Sequence, residues 1–201
     1  MERKRALWLI DGSYLYKARS SCGQQFSLDY IKLRNYIERD GKIWRAYYLN
    51  STPNPPSDDQ DKFHNFLRSA SPGGPGIVTK LYELKQTNLD KGFCEQCDKL
   101  IALTCPEDKT QEKHRLYKEQ QKGVDVGIAT LTLTHMDQYD TLILSSGDGD
   151  LLDAIEHVSS HKKNFELVVI GKNTVSTELQ ARADRIYWID EFSREVCREH
   201  A

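Results

Sequence analysis

Two aspartates separated by one glycine, Asp148 and Asp150, stand where a short apolar run gives way to a helical pattern. The run, residues 142–144, is typical of a buried strand, and apolar residues then recur at helical spacing from 151 to 158. A carboxylate pair between strand and helix suits the carboxyl edge of a parallel sheet, where open α/β proteins bind their ligands. Mg²⁺ prefers such oxygen ligands and usually takes one or two carboxylates together with substrate phosphate. A turn followed by a helix cap would use the same residue types.

Two further aspartates occupy comparable positions. Asp11 follows the apolar run 6–10, and Asp125 lies in the first turn of a helix predicted to begin near Lys122. Each of them alone fits a turn or a helix cap at least as well as a functional role. If all four aspartates met at one rim of the sheet, their carboxylates would repel each other unless a cation lay between them. Together they predict a site for a divalent metal ion such as Mg²⁺, of the kind that hydrolyses phosphodiester bonds.

The elements that must position these aspartates alternate between strand and helix. Strands are predicted at residues 6–10, 43–49, 77–84, 142–144, 165–170 and 186–189. Helices are predicted at residues 30–40, 58–70, 122–131, 151–158 and 176–183, with a helical tail at the end. Residues 50–57 are predicted to form a loop, because they are rich in proline, which neither a helix interior nor a central strand tolerates. This order predicts an α/β fold with a central, mainly parallel sheet and right-handed crossovers.

A polar segment at residues 86–121 interrupts the alternation and holds four potential metal ligands. Cys94 and Cys97 form a Cys-x-x-Cys knuckle, a usual half of a tetrahedral zinc site, which Cys105 and His114 would complete. The second half lacks the usual tight spacing, so unliganded thiols or a redox pair remain alternatives to structural zinc.

Composition bounds the remaining possibilities. The 201 residues suffice for one domain with a small insertion, and a net charge of −2 gives no overall attraction to nucleic acid. We find no apolar run long enough to span a bilayer and expect no secretory leader. Five cysteines, an odd number, favour reduced thiols or metal ligands over a disulfide framework. We therefore expect a cytoplasmic protein without membrane contact.

Three motifs then carry a family resemblance: LIDGSYLY at 9–16, KGVDVGIA at 122–129 and LSSGDGDLLDAI at 144–155. In this order they resemble the NYN domain family of PIN-like nucleases, in particular its LabA-like (DUF88) branch. The resemblance implies a three-layer α/β/α sandwich over residues 1–201, a pocket for Mg²⁺ or Mn²⁺, and ribonuclease activity. By matching position, the acidic cluster would be Asp11, Asp125, Asp148 and Asp150, with Ser13 and Ser146 beside it. PIN-like proteins often dimerise, so the resemblance leaves a homodimer open.

Two departures from the family pattern affect the site. Tyr14 stands where the family commonly has asparagine, and the helix after KGVDV lacks a further aspartate. Four acidic residues are enough for one metal ion, whereas a second ion is less assured. Phosphate contacts are expected from basic residues that flank the motifs, with Lys122 favoured because it adjoins Asp125: Lys17, Arg19, Lys122 and Lys172. Tyr14 and Tyr16 could stack on bases.

The leading hypothesis is a metal-dependent endonuclease that cuts RNA, preferably single-stranded, rather than DNA. Asp11, Asp148 and Asp150 would bind the ion directly, and Asp125 would bind it directly or through water. A catalytically inactive module that binds nucleic acid or protein is the first alternative, supported by the overall acidity and the two departures. The second is a phosphatase on small phosphoesters, although no Asp-x-Asp nucleophile motif follows the first strand.

Overall fold

The structure is a computed structural model that describes residues 3–106 and 114–199. In chain order, the strands are β1 Ala6–Asp11, β2 Ile43–Thr52, β3 Val78–Glu83, β4 Lys85–Asn88, β5 Lys91–Cys94, β6 Lys99–Ala102, β7 Tyr117–Gln120, β8 Thr141–Ser145, β9 Asn164–Val169 and β10 Arg185–Trp188. The helices are α1 Gly12–Ala18, α2 Tyr30–Ile37, α3 Asp58–Arg68, α4 Val124–Thr134, α5 Leu152–Ser160, α6 Thr177–Arg182 and α7 Ser193–Val196. Within the described ranges, no helix is long and apolar enough to cross a membrane.

Six strands form one sheet in the order β10-β9-β8-β1-β2-β3, and every neighbouring pair is parallel. The chain first adds β2 and β3 on one side of β1 and later adds β8, β9 and β10 on its other side. The strand order therefore reverses between β1 and β8. In open parallel sheets, the crevice at the carboxyl ends of the two strands at such a reversal is where ligands bind. The topology thus places a candidate site beside Asp11, the last residue of β1.

Helices cover both faces of the sheet, as the alternation of strand side chains requires. Trp8 and Ile10 of β1 pack in a core with residues of α1, α2, α3 and α7. Leu7 and Leu9 point to the opposite face and pack with residues of α4, α5 and α6. All four side chains are fully buried, which explains why β1 is a continuous apolar run. The predicted three-layer α/β/α arrangement is confirmed.

Helix starts follow their sequence signals. Asp29 caps α2 by accepting hydrogen bonds from the backbone N–H groups of Ile31 and Lys32. Ser57 and Gln60 form a capping box at the start of α3. These interactions satisfy backbone donors that the first turn of a helix otherwise leaves free.

Several predicted boundaries are wrong, including the ends of β2 and α3 and both ends of α4, which spans Val124–Thr134 instead of 122–131. Strand β2 continues through Thr52 into the predicted loop, because β3 pairs with it as far as Thr52 opposite Glu83. Helix α3 ends at Arg68, so Ala70, the last residue of the predicted helix, is exposed beyond its end.

The polar insertion is built from two antiparallel hairpins that follow edge strand β3. Strand β4 pairs with β7, and β5 pairs with β6 inside the same connection. Residues 107–113 of the predicted insertion lie outside the described residues. The insertion ends immediately before α4, the helix that carries Asp125.

Candidate active site

Asp11 ends β1 and caps helix α1, and both roles fix its carboxylate. The backbone N–H groups of Ser13 and Tyr14 donate to its Oδ1 at 2.9 and 3.1 Å. Asp11 is only 8 % exposed and ends a strand that is buried along its whole length. The short segment Asp11-Gly12-Ser13 therefore presents a rigid carboxylate at the strand-order reversal.

Asp148 reaches the same crevice from the neighbouring strand β8. Its backbone N–H donates to the Oγ of buried Ser146 at 3.3 Å, and its own Oδ1 accepts a hydrogen bond from the backbone N–H of Asp150 at 3.0 Å. Gly147 allows this loop to approach the segment after β9, since a Cβ atom there would lie 2.0 Å from the carbonyl oxygen of Thr174. The glycine thus sets the path of the loop that carries Asp148.

Asp125 is contributed by a third element, since it lies in the first turn of α4. Gly123 precedes that helix with a φ of 92°, a conformation that favours glycine. Asp125, Asp11 and Asp148 line one cleft of about 570 Å³. The predicted neighbours Ser13 and Ser146 also line it.

The other predicted site residues lie near this cleft without lining it. Asp150 is exposed in the turn before α5, and its carboxylate still acts electrostatically on Asp125. Lys122 is exposed beside the cleft. The Nζ of Lys172 lies 5.9 Å from the ring centroid of Trp188. Lys17, by contrast, lines the cleft, and its positive charge acts electrostatically on Asp11.

Burial works against the charged states of Asp11 and Asp125, and repulsion by neighbouring carboxylates adds to it at Asp125. Burial raises the pKa of Asp11 despite its two backbone hydrogen bonds and the nearby Lys17. Burial also raises the pKa of Asp125, and the carboxylates of Asp148, Asp11 and Asp150 add to the rise. A cation placed among them would relieve this repulsion.

The donor set suits a hard divalent cation, because all its members are carboxylate oxygens. Within residues 3–106 and 114–199, however, no three acidic, histidine or cysteine side chains stand together closely enough to hold a metal ion. Mg²⁺ commonly retains several waters and takes only one or two carboxylates directly. The cleft therefore fits an ion held by one or two aspartates and by the others through water.

Tyr14 has a structural role that the sequence did not reveal. Its hydroxyl accepts a hydrogen bond from the backbone N–H of Ile170 at 3.1 Å and lies 3.2 Å from that residue's carbonyl oxygen and 2.9 Å from the Oγ1 of Thr174. Burial raises the pKa of Tyr14, so its hydroxyl stays protonated. Tyr14 thus connects α1 to the turn after β9, because its hydroxyl is hydrogen-bonded to residues of that turn.

Other lining residues were not predicted. Gln121 immediately precedes the KGVD motif, Thr174 comes from the turn after β9, and Ser20 and Ser21 follow α1. Adjacency to KGVD was a usable signal for Gln121. The other three reach the cleft only through the packing of distant segments.

The four predicted zinc ligands form two pairs. Hydrogen bonds from the backbone and thiol of Cys97 lower the pKa of Cys94, and the Nδ1 of His114 lies 3.3 Å from the Sγ of Cys105. Cys94 lies at the turn of the β5–β6 hairpin, whereas Leu103, two residues before Cys105, bonds to Asp90 at its base. Within the described residues, no three acidic, histidine or cysteine side chains stand close enough to hold a metal ion, so the two pairs do not form one site there.

Comparison with known proteins agrees with this architecture. Residues 5–190 match the family model of the NYN domain. The crystal structure of a protein of unknown function from Vibrio parahaemolyticus is similar, with a TM-score of 0.61 and 17 % identity over 98 % of this chain and 97 % of that chain. At that identity, the likeness shows the fold alone. A search of curated proteins finds no significant match.

Proposed function

Because the chain belongs to the NYN domain family, we propose that it is a metal-dependent endonuclease that hydrolyses phosphodiester bonds in single-stranded RNA. One observation carries the proposal: Asp11, Asp125 and Asp148, from three separate elements, line one cleft at the strand-order reversal. The preference for RNA and the assignment to the LabA-like branch rest on the motif resemblance.

The residues of the cleft would have different roles in such a reaction. Asp11, Asp125 and Asp148 would hold Mg²⁺ or Mn²⁺, directly or through water, with Asp150 adding negative charge nearby. A bound divalent ion supplies a water nucleophile at neutral pH and offsets charge on the phosphate. Lys17 lines the cleft and would orient a phosphate, with exposed Lys122 and Lys172 as further contacts outside it. Ser13 and Tyr14 hold Asp11 through their backbone N–H groups, so that its carboxylate need not reorganise.

The test is cleavage of labelled single-stranded RNA and DNA of one sequence in Mg²⁺, Mn²⁺ or EDTA. Wild type is compared with Asp148→Asn and with Asp153→Asn, an exposed aspartate in the first turn of α5 that does not line the cleft. We expect metal-dependent cutting of RNA that falls about 100-fold or more in Asp148→Asn, the scale on which removal of one transition-state contact acts. Asp153→Asn should retain full activity.

A nucleic-acid-binding module without catalysis is the second candidate. It is favoured by the two departures from the family pattern, Tyr14 in place of asparagine and the missing further aspartate in α4. This function predicts that no metal supports cutting, while Asp148→Asn binds RNA as well as wild type or more tightly. Equal cleavage by wild type and Asp148→Asn would point to a contaminating nuclease and contradict the proposed site.

Two further properties stay predictions. Structural zinc in the insertion would appear as one equivalent of zinc in the purified protein, lost on Cys94→Ser. A homodimer would appear as twice the mass of 23.2 kDa in sedimentation.

A further inference from the structure

A second groove lies on the other side of helix α1 from the acidic cleft. It measures about 380 Å³, within the usual range of small-ligand sites. Ser13 and Lys17 of α1 line the acidic cleft, while Leu15 and Tyr16 of the same helix line the groove. One helix thus separates the two, and a helix with its side chains is about 10 Å across.

The interior of the groove is aromatic. The rings of Tyr30, Tyr48 and Phe63 all line it and meet each other at tilted or edge-on angles, with centroids 5.7 to 6.0 Å apart. Tyr48 also packs against Gly12, where a Cβ atom would lie 2.2 Å from the Cζ of the ring. The aromatic wall is therefore built directly against the residue that follows Asp11.

Polar groups interrupt this aromatic surface. His64 lines the groove, is 2 % exposed, and its Nδ1 has no hydrogen-bond partner in the described part of the chain. A buried polar atom without a partner costs free energy, which a ligand in the groove could recover. Burial lowers the pKa of His64, so its imidazole is neutral at pH 7 and offers one donor and one acceptor. Asn50 lines the same groove, with its Nδ2 at a long 3.4 Å from the Oη of Tyr48.

The rim of the groove offers a stacking surface. Tyr16 is 65 % exposed, and the guanidinium of Arg19 lies 4.0 Å from its ring centroid. Arg198, which also lines the groove, lies over the ring of Phe66. Aromatic rings and arginine planes are the surfaces on which proteins stack unpaired bases, and the arginine charges suit the adjoining phosphates.

We propose that this groove binds one unstacked base of the single-stranded RNA whose backbone passes the acidic cleft. The proposal rests on the proposed function for the identity of the polymer. Tyr16 and Arg19 would stack on the base, and His64 and Asn50 would contact its edge. Helix α1 would then lie between the base and the phosphate to be cut, which sets the position of cleavage relative to that base.

The experiment measures binding of a fluorescein-labelled ten-nucleotide single-stranded RNA in Mg²⁺ to Asp148→Asn protein, which leaves the RNA uncut. The second variant adds Tyr16→Ala, and the control adds Tyr117→Ala, an exposed tyrosine beside Arg115 in the insertion. Loss of one base stack should weaken binding about 5- to 140-fold in the Tyr16 variant. The control should bind like the parent.

A set of RNAs with a single abasic nucleotide at each position locates the base. We expect the abasic nucleotide at one position to weaken binding by the parent, and to weaken binding by the Tyr16→Ala variant less, because only the contacts of Arg19, His64 and Asn50 to that base remain to be lost. Equal binding by the Tyr16 and Tyr117 variants, or an abasic cost independent of position, would overturn the groove assignment. If wild type nevertheless cuts RNA, the groove assignment alone fails and the nuclease proposal stands. Position-specific binding without any cutting by wild type would instead support the groove and reject the nuclease.

Discussion

Replacing Tyr14 by phenylalanine removes only one oxygen atom, yet it should destabilise the protein. The hydroxyl accepts from the backbone N–H of Ile170 and also lies within bonding distance of the Ile170 carbonyl and the Thr174 side chain. Ile170 is fully buried. Without the hydroxyl, the N–H group of this buried residue would lack its hydrogen-bond partner.

The size of the effect follows from that unpaired donor. A buried donor left without a partner costs about 1–3 kcal/mol. For a chain of 201 residues, each kcal/mol lowers the melting temperature by about 2–4 °C, so the expected fall is about 2–12 °C. The ring of phenylalanine fills the same space, so no cavity adds to this figure.

Urea unfolding at pH 7, followed by circular dichroism, measures the change. Tyr16→Phe is the matched control, since its ring is 65 % exposed and lies two residues along the same helix. The control should unfold within about 0.5 kcal/mol of wild type, as surface substitutions usually do. Equal stability of the two variants would refute the role given to the Tyr14 hydroxyl.

Two other predictions concern the acidic cleft. Asp125→Asn should stabilise the protein at pH 7, because a pKa raised above the ordinary 3.8 means that folding disfavours the charged carboxylate. The gain should stay below about 1 kcal/mol for this exposed residue, and it should shrink as the pH falls toward 4 and Asp125 in wild type takes up its proton. Urea unfolding from pH 7.5 to 4.5 tests this, with Asp153→Asn as control, and a gain that grows toward low pH would contradict it. Gly147→Ala should cost about 1–3 kcal/mol, because the new methyl group would lie 2.0 Å from the Thr174 carbonyl oxygen. Gly149→Ala, whose Cβ would meet only Ser176 at 3.3 Å, should cost less in the same assay, and the reverse order would show that the two segments can separate.

Sequence patterns identified the buried strands because burial on both faces removes polar residues from them. Strands β1 and β8 are buried along their whole length. Asp11 ends β1, Asp148 follows β8, and both line the cleft. The end of β2 was missed because Asn50, Ser51 and Thr52 have polar side chains and precede a proline-rich segment. Pairing with β3 decides their conformation, and pairing is a property of the partner strand.

The site was predicted less completely than the fold. Motifs indicated which aspartates lie at the carboxyl edge, but their distances from one another depend on how α4 and the loop after β8 pack. Asp150 is two residues from Asp148 in sequence, yet it lies in the turn outside the lining of the cleft. The groove beside α1 was not predicted, because His64, Tyr48 and Tyr16 come from three elements with no shared motif.

The pairing of β1 with β8 also determines at which stage of folding the acidic cleft forms. Ala6 lies opposite Thr141, so this contact closes most of the chain into a loop, and such contacts form late and slowly during folding. Asp11 belongs to the first half of the chain, whereas Asp125 and Asp148 belong to the second, on the far side of the insertion. Neither half alone contains the acidic cleft. A partly synthesised chain that stops within the insertion would therefore have one carboxylate of the three, and all three come together only after β8 has paired with β1.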